Sequence, residues 1–152
     1  MQIKELLQKN ADSTPAKNAI IFKDQRITFQ SLKDSSFRLA NSLSKLGIKK
    51  SDRIAIYLPN WPEYFYSYLA TWCLAATVVP LDFMLTEDEL ISCIAHCEAK
   101  VLIAKTKATI SLSKIKESCP SIQQIIICDQ QPGDYVYIGE LLGEGSVKAP
   151  GK

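Results

Sequence analysis

Three short, uncharged apolar runs constrain the fold of this chain more than any other feature. The runs are residues 54–58, 78–81 and 101–104, and they are separated by the segments 59–77 and 82–100. Short runs rich in β-branched residues are typical of strands that are buried on both faces of a parallel sheet. A parallel pair needs a connection of a dozen or more residues, and both segments are long enough. The pattern therefore predicts a β-α-β-α-β unit.

Both connecting segments carry the start signals of a helix. Asn60 is followed three residues later by Glu63, and Thr86 is followed at the same spacing by Glu89. A polar cap with an acidic residue at this spacing is a capping box, in which each side chain bonds the backbone of the other. We therefore predict that Asn60 caps the first connecting helix and that Thr86 caps the second.

The flanking sequence predicts further elements around this unit. Residues 2–10 and 108–118 show amphipathic patterns and are expected to form helices. Residues 19–22 and 26–28 flank a short polar turn and predict a small β-hairpin. Residues 125–128 form another apolar run, which predicts a fourth core strand.

A longer helix is predicted between the hairpin and the first buried strand. Thr28 is its expected cap, and Gly47 is the residue at which the chain is expected to leave it. Its apolar face recurs at helical spacing through Leu32, Ser36, Leu39, Ala40, Leu43 and Leu46. The sequence assigns this helix no chemical role.

The composition changes after Asp129. Five of the six glycines lie between this residue and the end of the chain. We predict a glycine-rich, loop-like end over residues 130–152, with a short strand at 135–138 and a helical turn at 140–142.

Composition excludes several classes of function. The chain has 152 residues, 47% hydrophobic and 22% charged, which suits one domain with a substantial core. Its net charge of +2 arises from dispersed residues, so we predict no nucleic-acid partner. Residues 64–81 are uncharged but contain Ser, Thr, Tyr and Pro, which favours a core helix and a strand over a transmembrane span.

The cysteines and the single histidine do not predict a metal or catalytic site. The five cysteines are odd in number and scattered, which favours reduced thiols and a cytoplasmic protein, and no apolar stretch near Met1 indicates export. Cys93, His96 and Cys97 are expected on one helix face. A structural zinc site needs a fourth ligand, so a half-buried cysteine pair is the preferred interpretation. No catalytic residue is assigned.

Aromatic residues crowd the helix predicted in the segment 59–77. Aromatic side chains on several faces of one helix indicate a core on one side and an interface on the other. We therefore predict self-association through this exposed aromatic surface or through an uncovered edge of the sheet. The aromatic surface contains Trp61, Tyr64, Phe65, Tyr66, Tyr68 and Trp72.

An ordered set of motifs resembles the AMP-forming adenylating enzymes: acyl-CoA synthetases, firefly-type luciferases and the adenylation domains of peptide synthetases. The segment 52–64, DRIAIYLPNWPEY, is similar to the family's D-R-V-A-I-x-L-P-N-x-P-E-F. YLA at 68–70, VPL at 79–81, LTEDEL at 85–90 and KVLI at 100–103 follow in the family's order. One departure is Ala75, since the family's Ala-Gly-Ala is here Leu-Ala-Ala. Close packing at this position is therefore in question.

The resemblance implies that residues 1–152 are the single N-terminal α/β subdomain of a larger ligase. The expected fold is a mainly parallel sheet with helices on both faces and a small N-terminal β-hairpin. The full enzyme would join a carboxylic acid to CoA through an acyl-AMP, using ATP and Mg²⁺, as in long- or medium-chain fatty acid-CoA ligases. The family's phosphate loop, which closes with Pro-Lys-Gly, is absent from these residues. The chain alone is therefore expected to be inactive and to hold no cofactor.

The resemblance also implies CoA contacts in two loops. In CoA-using relatives, the loop after V-P-L and the loop after the next strand help to hold the CoA nucleotide. Those loops here contain Asp82, Phe83 and Met84, and then Lys105 and Lys107. Phe83 is expected to stack on adenine and the lysines to contact the 3′-phosphate. The alternative for all five is an ordinary solvated loop.

Two other functions are compatible with the sequence. One is a non-catalytic α/β module that binds a partner protein or a CoA-like ligand. The other is a ligase that loads a carrier protein instead of CoA.

Overall fold

The computed structural model describes residues 1–129 and 133–151, which form six helices and seven strands. In chain order these are α1 Ile3–Ser13, β1 Asn18–Phe22, β2 Gln25–Thr28, α2 Phe29–Lys45, β3 Arg53–Tyr57, α3 Pro62–Cys73, β4 Thr77–Pro80, α4 Glu87–Cys97, β5 Val101–Ala104, α5 Leu112–Ser118, β6 Gln124–Ile127, β7 Val136–Tyr137 and α6 Ile138–Glu144.

Five strands form one sheet in the order β4-β3-β5-β6-β7, and every neighbouring pair is parallel. Strands β1 and β2 form a separate antiparallel hairpin. The α/β fold with a parallel sheet and a small hairpin is therefore confirmed. The chain moves from β3 to β4 on one side and then returns past β3 to β5. This reversal is the switch point at which open α/β sheets place their ligands.

The sheet is buried on both faces because side chains of successive strand residues point to opposite sides. In β3, Ile54 and Ile56 pack with residues of α1, α2 and α3, while Ala55 and Tyr57 pack with residues of α4 and α5. All four side chains are fully buried. Continuous apolar runs were therefore the correct signal for strands with helices on both sides.

Two of the three predicted caps are confirmed. The Thr28 hydroxyl accepts a hydrogen bond from the Ser31 amide at the start of α2. Thr86 and Glu89 form the predicted capping box at α4. The Asn60 cap is wrong, because α3 begins one residue later, with Trp61 at the cap position and without a side-chain cap bond. Pro62 is the first residue of α3, and a proline there needs no amide partner.

Helix α2 holds the end of the chain in place. Arg38 Nη1 donates to the carbonyl of Leu142 at 3.3 Å, and Asn41 Nδ2 donates to the carbonyls of Ser146 and Lys148 at 2.8 and 2.9 Å. Gly145 lies directly against the Arg38 backbone, where a Cβ atom would stand 2.3 Å from its carbonyl oxygen. Close backbone approach of this kind requires glycine.

The glycine-rich end contains more structure than its composition indicates. The strand and helical turn predicted there are present as β7 and as the longer helix α6. Residues 130–132 and 152 of the predicted loop lie outside the described residues. The predicted helix at 108–118 is shorter than expected, because Ser111 caps it and α5 begins at Leu112.

Ala75 adopts a left-handed backbone conformation, with φ of +54°. It lies in the turn between α3 and β4, and its carbonyl accepts from the Ser51 amide at 2.9 Å. The side chain is exposed, so its methyl group causes no crowding in the core. The family's glycine at this position is therefore explained by the backbone angle, since residues with a Cβ atom are strained in this conformation.

Among residues 1–129 and 133–151, no helix combines the length and the apolar character needed to cross a membrane.

We predict that Ala75→Gly stabilises the chain. Removing the methyl group relieves the left-handed strain, and the larger entropy of the unfolded glycine offsets part of the gain, leaving about 0.5–1 kcal/mol. Urea unfolding of both variants measures the difference.

Ala76→Gly is the matched control, because Ala76 is 7% exposed and is absent from the positive-φ residues. It should destabilise the chain by about 1 kcal/mol. Equal destabilisation by the two substitutions would contradict the assignment of strain to Ala75.

Candidate functional site

The loops that follow strands β3, β4, β5 and β6 meet at the carboxyl edge of the sheet. They comprise residues 58–61, 81–86, 105–111 and 128–129. Side-chain contacts connect these loops to one another, so the edge is a defined surface and not four independent turns. The loops after β3 and β5 flank the switch point of the sheet, which makes this edge the candidate site. We call it the carboxyl-edge site.

Lys107 joins the loop after β5 to the loop after β4. Its Nζ donates to the carbonyl of Phe83 at 2.8 Å and to the hydroxyl of Tyr57 at 3.3 Å. The Tyr57 hydroxyl also lies 3.0 Å from the Phe83 carbonyl and 2.9 Å from the Leu85 carbonyl. Tyr57 is fully buried, so these bonds fix the loop after β4 on the sheet.

Phe83 is held by the same group of residues. Its ring lies 4.9 Å from the Tyr57 ring, centroid to centroid, and the Lys107 ammonium stands 4.6 Å from its centroid. A cation at this distance over a phenyl ring is attracted by the negative face of the ring. Phe83 is half-buried, so part of its ring remains open to a ligand.

Lys105 contacts the loop after β3. Its ammonium lies 5.5 Å from the centroid of the Trp61 ring and donates to the carbonyl of Thr106 at 3.3 Å. The Lys105 amide donates to the carbonyl of Tyr57 at 3.1 Å, which continues the ladder of the sheet. An aromatic ring beside a lysine can bind a planar base and a phosphate together. Lys105 and Trp61 therefore place a cation and an aromatic ring side by side at the switch point.

Thr106 joins the loop after β5 to the loop after β6. Its amide and its hydroxyl donate to the two carboxylate oxygens of Asp129, at 3.0 and 2.5 Å. This two-point contact fixes the Lys105–Lys107 segment from its other side. The Asp129 carboxylate is exposed and would repel an anion that approached the segment from β6.

Helices α4 and α5 begin at the same edge, and Glu87 links their first turns. Its carboxylate accepts from the Ser111 amide at 2.7 Å and from Lys114 Nζ at 2.5 Å. The hydrogen bond from Lys114 is the main reason that the pKa of the Glu87 carboxyl lies below its usual value. Glu87 is therefore ionised at neutral pH, and its carboxylate on α4 binds the first turn of α5.

The structure places all five predicted contact residues at the carboxyl-edge site, in different roles. Asp82 Oδ1 accepts from the Met84 amide at 2.8 Å and shapes the turn after β4. The Met84 side chain is 80% exposed. The Lys107 ammonium makes the loop contacts described above. Among residues 1–129 and 133–151, the Lys105 ammonium donates only to the neighbouring carbonyl, and it lies over an aromatic ring. Among the described residues, the Lys105 ammonium thus makes fewer hydrogen bonds than that of Lys107.

Sequence reasoning missed three contributors to this site. The sequence pattern predicts an interface role for Trp61 and a buried strand position for Tyr57, and it assigns Asp129 no role. The order of the strands is the signal that would have found Trp61, because it places the loop after β3 beside the loop after β5. The sequence alone did not give that order.

The Cys93, His96 and Cys97 group lies on α4 as predicted. Cys93 and His96 are exposed and Cys97 is half-buried. The prediction of a half-buried cysteine pair is therefore correct for Cys97 and wrong for Cys93. Within residues 1–129 and 133–151, no three or more His, Cys, Asp or Glu side chains are grouped so as to hold a metal ion.

A family model described as AMP-binding enzyme matches residues 7–141. The chain therefore belongs to the AMP-binding enzyme family, as the motifs indicated. A medium-chain fatty-acid–CoA ligase of Escherichia coli is 31% identical over 129 residues, which cover 81% of this chain and 23% of that protein. A 2-succinylbenzoate–CoA ligase of Bacillus velezensis is 37% identical over 98 residues, covering 64% of this chain and 20% of that protein.

A solved structure shows the same fold. The anthranilate CoA ligase AuaEII in complex with anthranoyl-AMP superposes with a TM-score of 0.89 at 18% identity, over 97% of this chain and 29% of that one. The chain spans about a fifth of the length of the two curated relatives named above.

We predict that Lys107→Met destabilises the chain by about 1–2 kcal/mol, because it removes two hydrogen bonds and leaves the Phe83 carbonyl with one donor fewer. Lys105→Met is the matched control. It should change stability by less than about 0.5 kcal/mol, since the hydrogen bond that its ammonium makes within the described part of the chain is to the adjacent residue. Urea unfolding measures both, and equal effects would show that Lys107 does not fix the loop.

Proposed function

We propose that this chain forms the amino-terminal α/β subdomain of an AMP-forming acid–thiol ligase. The observation that carries the proposal is the family match over residues 7–141, in a chain whose fold covers only part of an adenylate-bound ligase. The matched relatives are named as ligases for fatty, acetic, 4-coumaric and succinylbenzoic acids. A small organic or fatty carboxylic acid is therefore the proposed substrate class.

The proposed reaction has two steps. A carboxylate oxygen attacks the α-phosphorus of ATP, and the bond to the bridging oxygen breaks, so that pyrophosphate leaves. The thiolate of CoA then attacks the acyl carbonyl, and AMP leaves. Both steps concentrate negative charge on phosphate oxygens, which donors and cations stabilise. The 152 residues contain no Ser/Thr/Gly-rich loop closing with Pro-Lys-Gly, so the proposed contribution of this chain is scaffold and binding.

Mg²⁺ would neutralise phosphate charge in such a reaction. The described residues do not fit that role, because they offer no cluster of carboxylate or imidazole ligands. We therefore assign no metal ligand to this chain, and none of its residues is proposed to be catalytic.

The proposed role of the carboxyl-edge site is to hold the nucleotide of CoA. Lys105 and the third donor of Lys107 would bind the 3′-phosphate, and the open part of Phe83 or of Trp61 would stack on adenine. Asp82 and Met84 would shape the loop and cover the base. A carrier protein would use the same basic edge differently, since its thiol arm has no adenine or 3′-phosphate.

We predict that the chain alone gives no pyrophosphate exchange with fatty or aromatic acids, binds ATP no better than in the millimolar range, and binds CoA weakly. Millimolar affinity needs only about 4 kcal/mol, which one stacked base and one or two lysine–phosphate contacts supply. Radiolabel exchange and calorimetry measure these quantities. Exchange above background would refute the absence of a catalytic site.

The CoA contact has a sharper test. Lys105→Gln should weaken CoA binding by about fivefold, and dephospho-CoA should bind the unaltered chain as weakly as CoA binds the variant. Lys116→Gln, in α5, is the control and should change nothing. CoA binding that is unchanged when Lys105 and Lys107 are both replaced by alanine would remove this assignment.

The outer surface of α3 supports a second function, association with a protein partner or with another copy of the chain. Phe65 and Trp72 are 48% and 44% exposed. Tyr64, Tyr68 and Trp72 form a contiguous ladder, with centroids 4.8 and 5.3 Å apart. Exposed aromatic rings of this kind are typical of interfaces.

We predict that the isolated chain self-associates in a concentration-dependent manner through this ladder. Light scattering should show a mass above that of the monomer as the concentration rises. Trp72→Gln should shift the association to higher concentration, and Ile21→Gln, an exposed apolar residue on the hairpin, is the control. A monomer at all concentrations would leave the partner hypothesis without support.

The five cysteines are all free thiols, and Cys73, Cys119 and Cys128 are buried. Burial raises the pKa of the Cys128 thiol, which keeps it protonated. We propose a cytoplasmic location on this basis, because reduced cysteines are typical of that compartment.

A further inference from the structure

A cavity of about 1040 Å³ lies at the amino-terminal edge of the sheet, opposite the carboxyl-edge site. It is formed by the start of α1, the segment that precedes β3, the end of α3 and Gly151. Its volume is at the upper limit of the range of small-molecule sites. Of the family motifs quoted above, only the Leu-Ala-Ala turn lies on its walls.

The walls of this cavity are largely apolar. Ile3, Ile48 and Leu74 contribute aliphatic surface, and Trp72 contributes an indole ring that is 44% exposed. Cys73, 6% exposed, also lines the cavity, and burial raises the pKa of its thiol to about 12. The thiol is therefore neutral and adds no negative charge. An apolar chain is the ligand chemistry that such walls favour.

The rim of the cavity is positively charged. Lys4, Lys49 and Lys50 line it, and among the described residues no carboxylate does. The nearest acidic group in the chain before β3, Asp52, accepts from the Lys49 amide and is paired with Lys100 at 2.7 Å. The carboxylate of Asp52 therefore forms its ion pair with Lys100, which does not line the cavity. Three cations around an apolar space favour a ligand with an anionic head group.

We propose that this cavity binds a single-chain amphiphile with an anionic head group, such as an alkyl carboxylate. The alkyl chain lies against Trp72, Leu74 and Ile48, and the head group accepts hydrogen bonds from the rim lysines. A nucleotide is disfavoured, because a polar ribose and its phosphates would cover the aliphatic walls. This site is separate from the carboxyl-edge site and takes no part in the proposed reaction.

Trp72 provides a direct reporter of occupancy. The chain contains two tryptophans, so Trp61→Phe leaves Trp72 as the only one. Decanoate is titrated at concentrations at which it is monomeric. We expect a saturable blue shift of Trp72 emission, because the alkyl chain displaces water from the indole. Calorimetry on the unaltered chain repeats the titration without any substitution.

The head group and the lysines are tested together. Decanol and decyltrimethylammonium should bind about tenfold more weakly than decanoate, which corresponds to about 1.4 kcal/mol. Lys49→Gln combined with Lys50→Gln should weaken decanoate by a similar factor and leave decanol unchanged. Lys9→Gln combined with Lys116→Gln removes the same charge from residues outside this cavity and is the control.

Three outcomes would overturn the proposal. Equal binding of decanoate and decanol would show that the lysines recognise no head group. An unchanged Trp72 spectrum, together with no heat in calorimetry, would show that the cavity is not a ligand site. Binding to vesicles that contain phosphatidylglycerol, without binding of monomeric decanoate, would show that the basic apolar edge contacts a lipid surface instead.

Discussion

Strand β3 is the element on which the rest of the structure depends. It is hydrogen-bonded to β4 on one edge and to β5 on the other. Its successive side chains point alternately into the cores on the two faces of the sheet. Burying a strand on both faces leaves no position for a charge, which is why 54–58 is uniformly apolar. The central position also decides where a ligand can bind. Because the chain departs from β3 in one direction and later returns past it, the loops after β3 and β5 are brought together, and Trp61 meets Lys105 there.

The two edges of the sheet use lysine in different ways. At the carboxyl edge, Lys107 has already given two of its hydrogen bonds to Tyr57 and Phe83, so its main contribution is to hold a loop. Within the part of the chain that the structure describes, the ammonium of Lys105 contacts only a neighbouring carbonyl and an aromatic face. At the amino edge, Lys49 and Lys50 are exposed and form no ion pair among the described residues. An anion gains most from a cation whose charge is not yet compensated, so the proposed anion contacts fall on Lys105 and the amino-edge lysines more than on Lys107.

The strands and most helices could be predicted because each depends on local pattern. Runs without charge gave β3, β4, β5 and β6 to within one residue at either end. Features that depend on three-dimensional context were missed. Asn60 has the chemistry of a cap, but Pro62 places the start of α3 one residue later. The sequence assigned α2 no role beyond the core, and yet Arg38 and Asn41 bind carbonyls about a hundred residues away. No periodicity can indicate a bond over that separation. The same applies to Trp61, whose role follows from strand order.

The free edge of β4 limits how this chain can meet a partner. Thr77 and Leu81 direct their amides to the carbonyls of Asp52 and Ile56. In a parallel ladder, alternate residues direct their amides to opposite sides, so Val78 and Pro80 face the open edge. Proline has no amide hydrogen, and Val78 is then the only outward donor in the strand. An edge with one donor is a poor template for an added strand. Addition of a strand at this edge is consequently disfavoured, whereas α3 exposes the rings of Phe65 and Trp72, a kind of surface that is typical of interfaces.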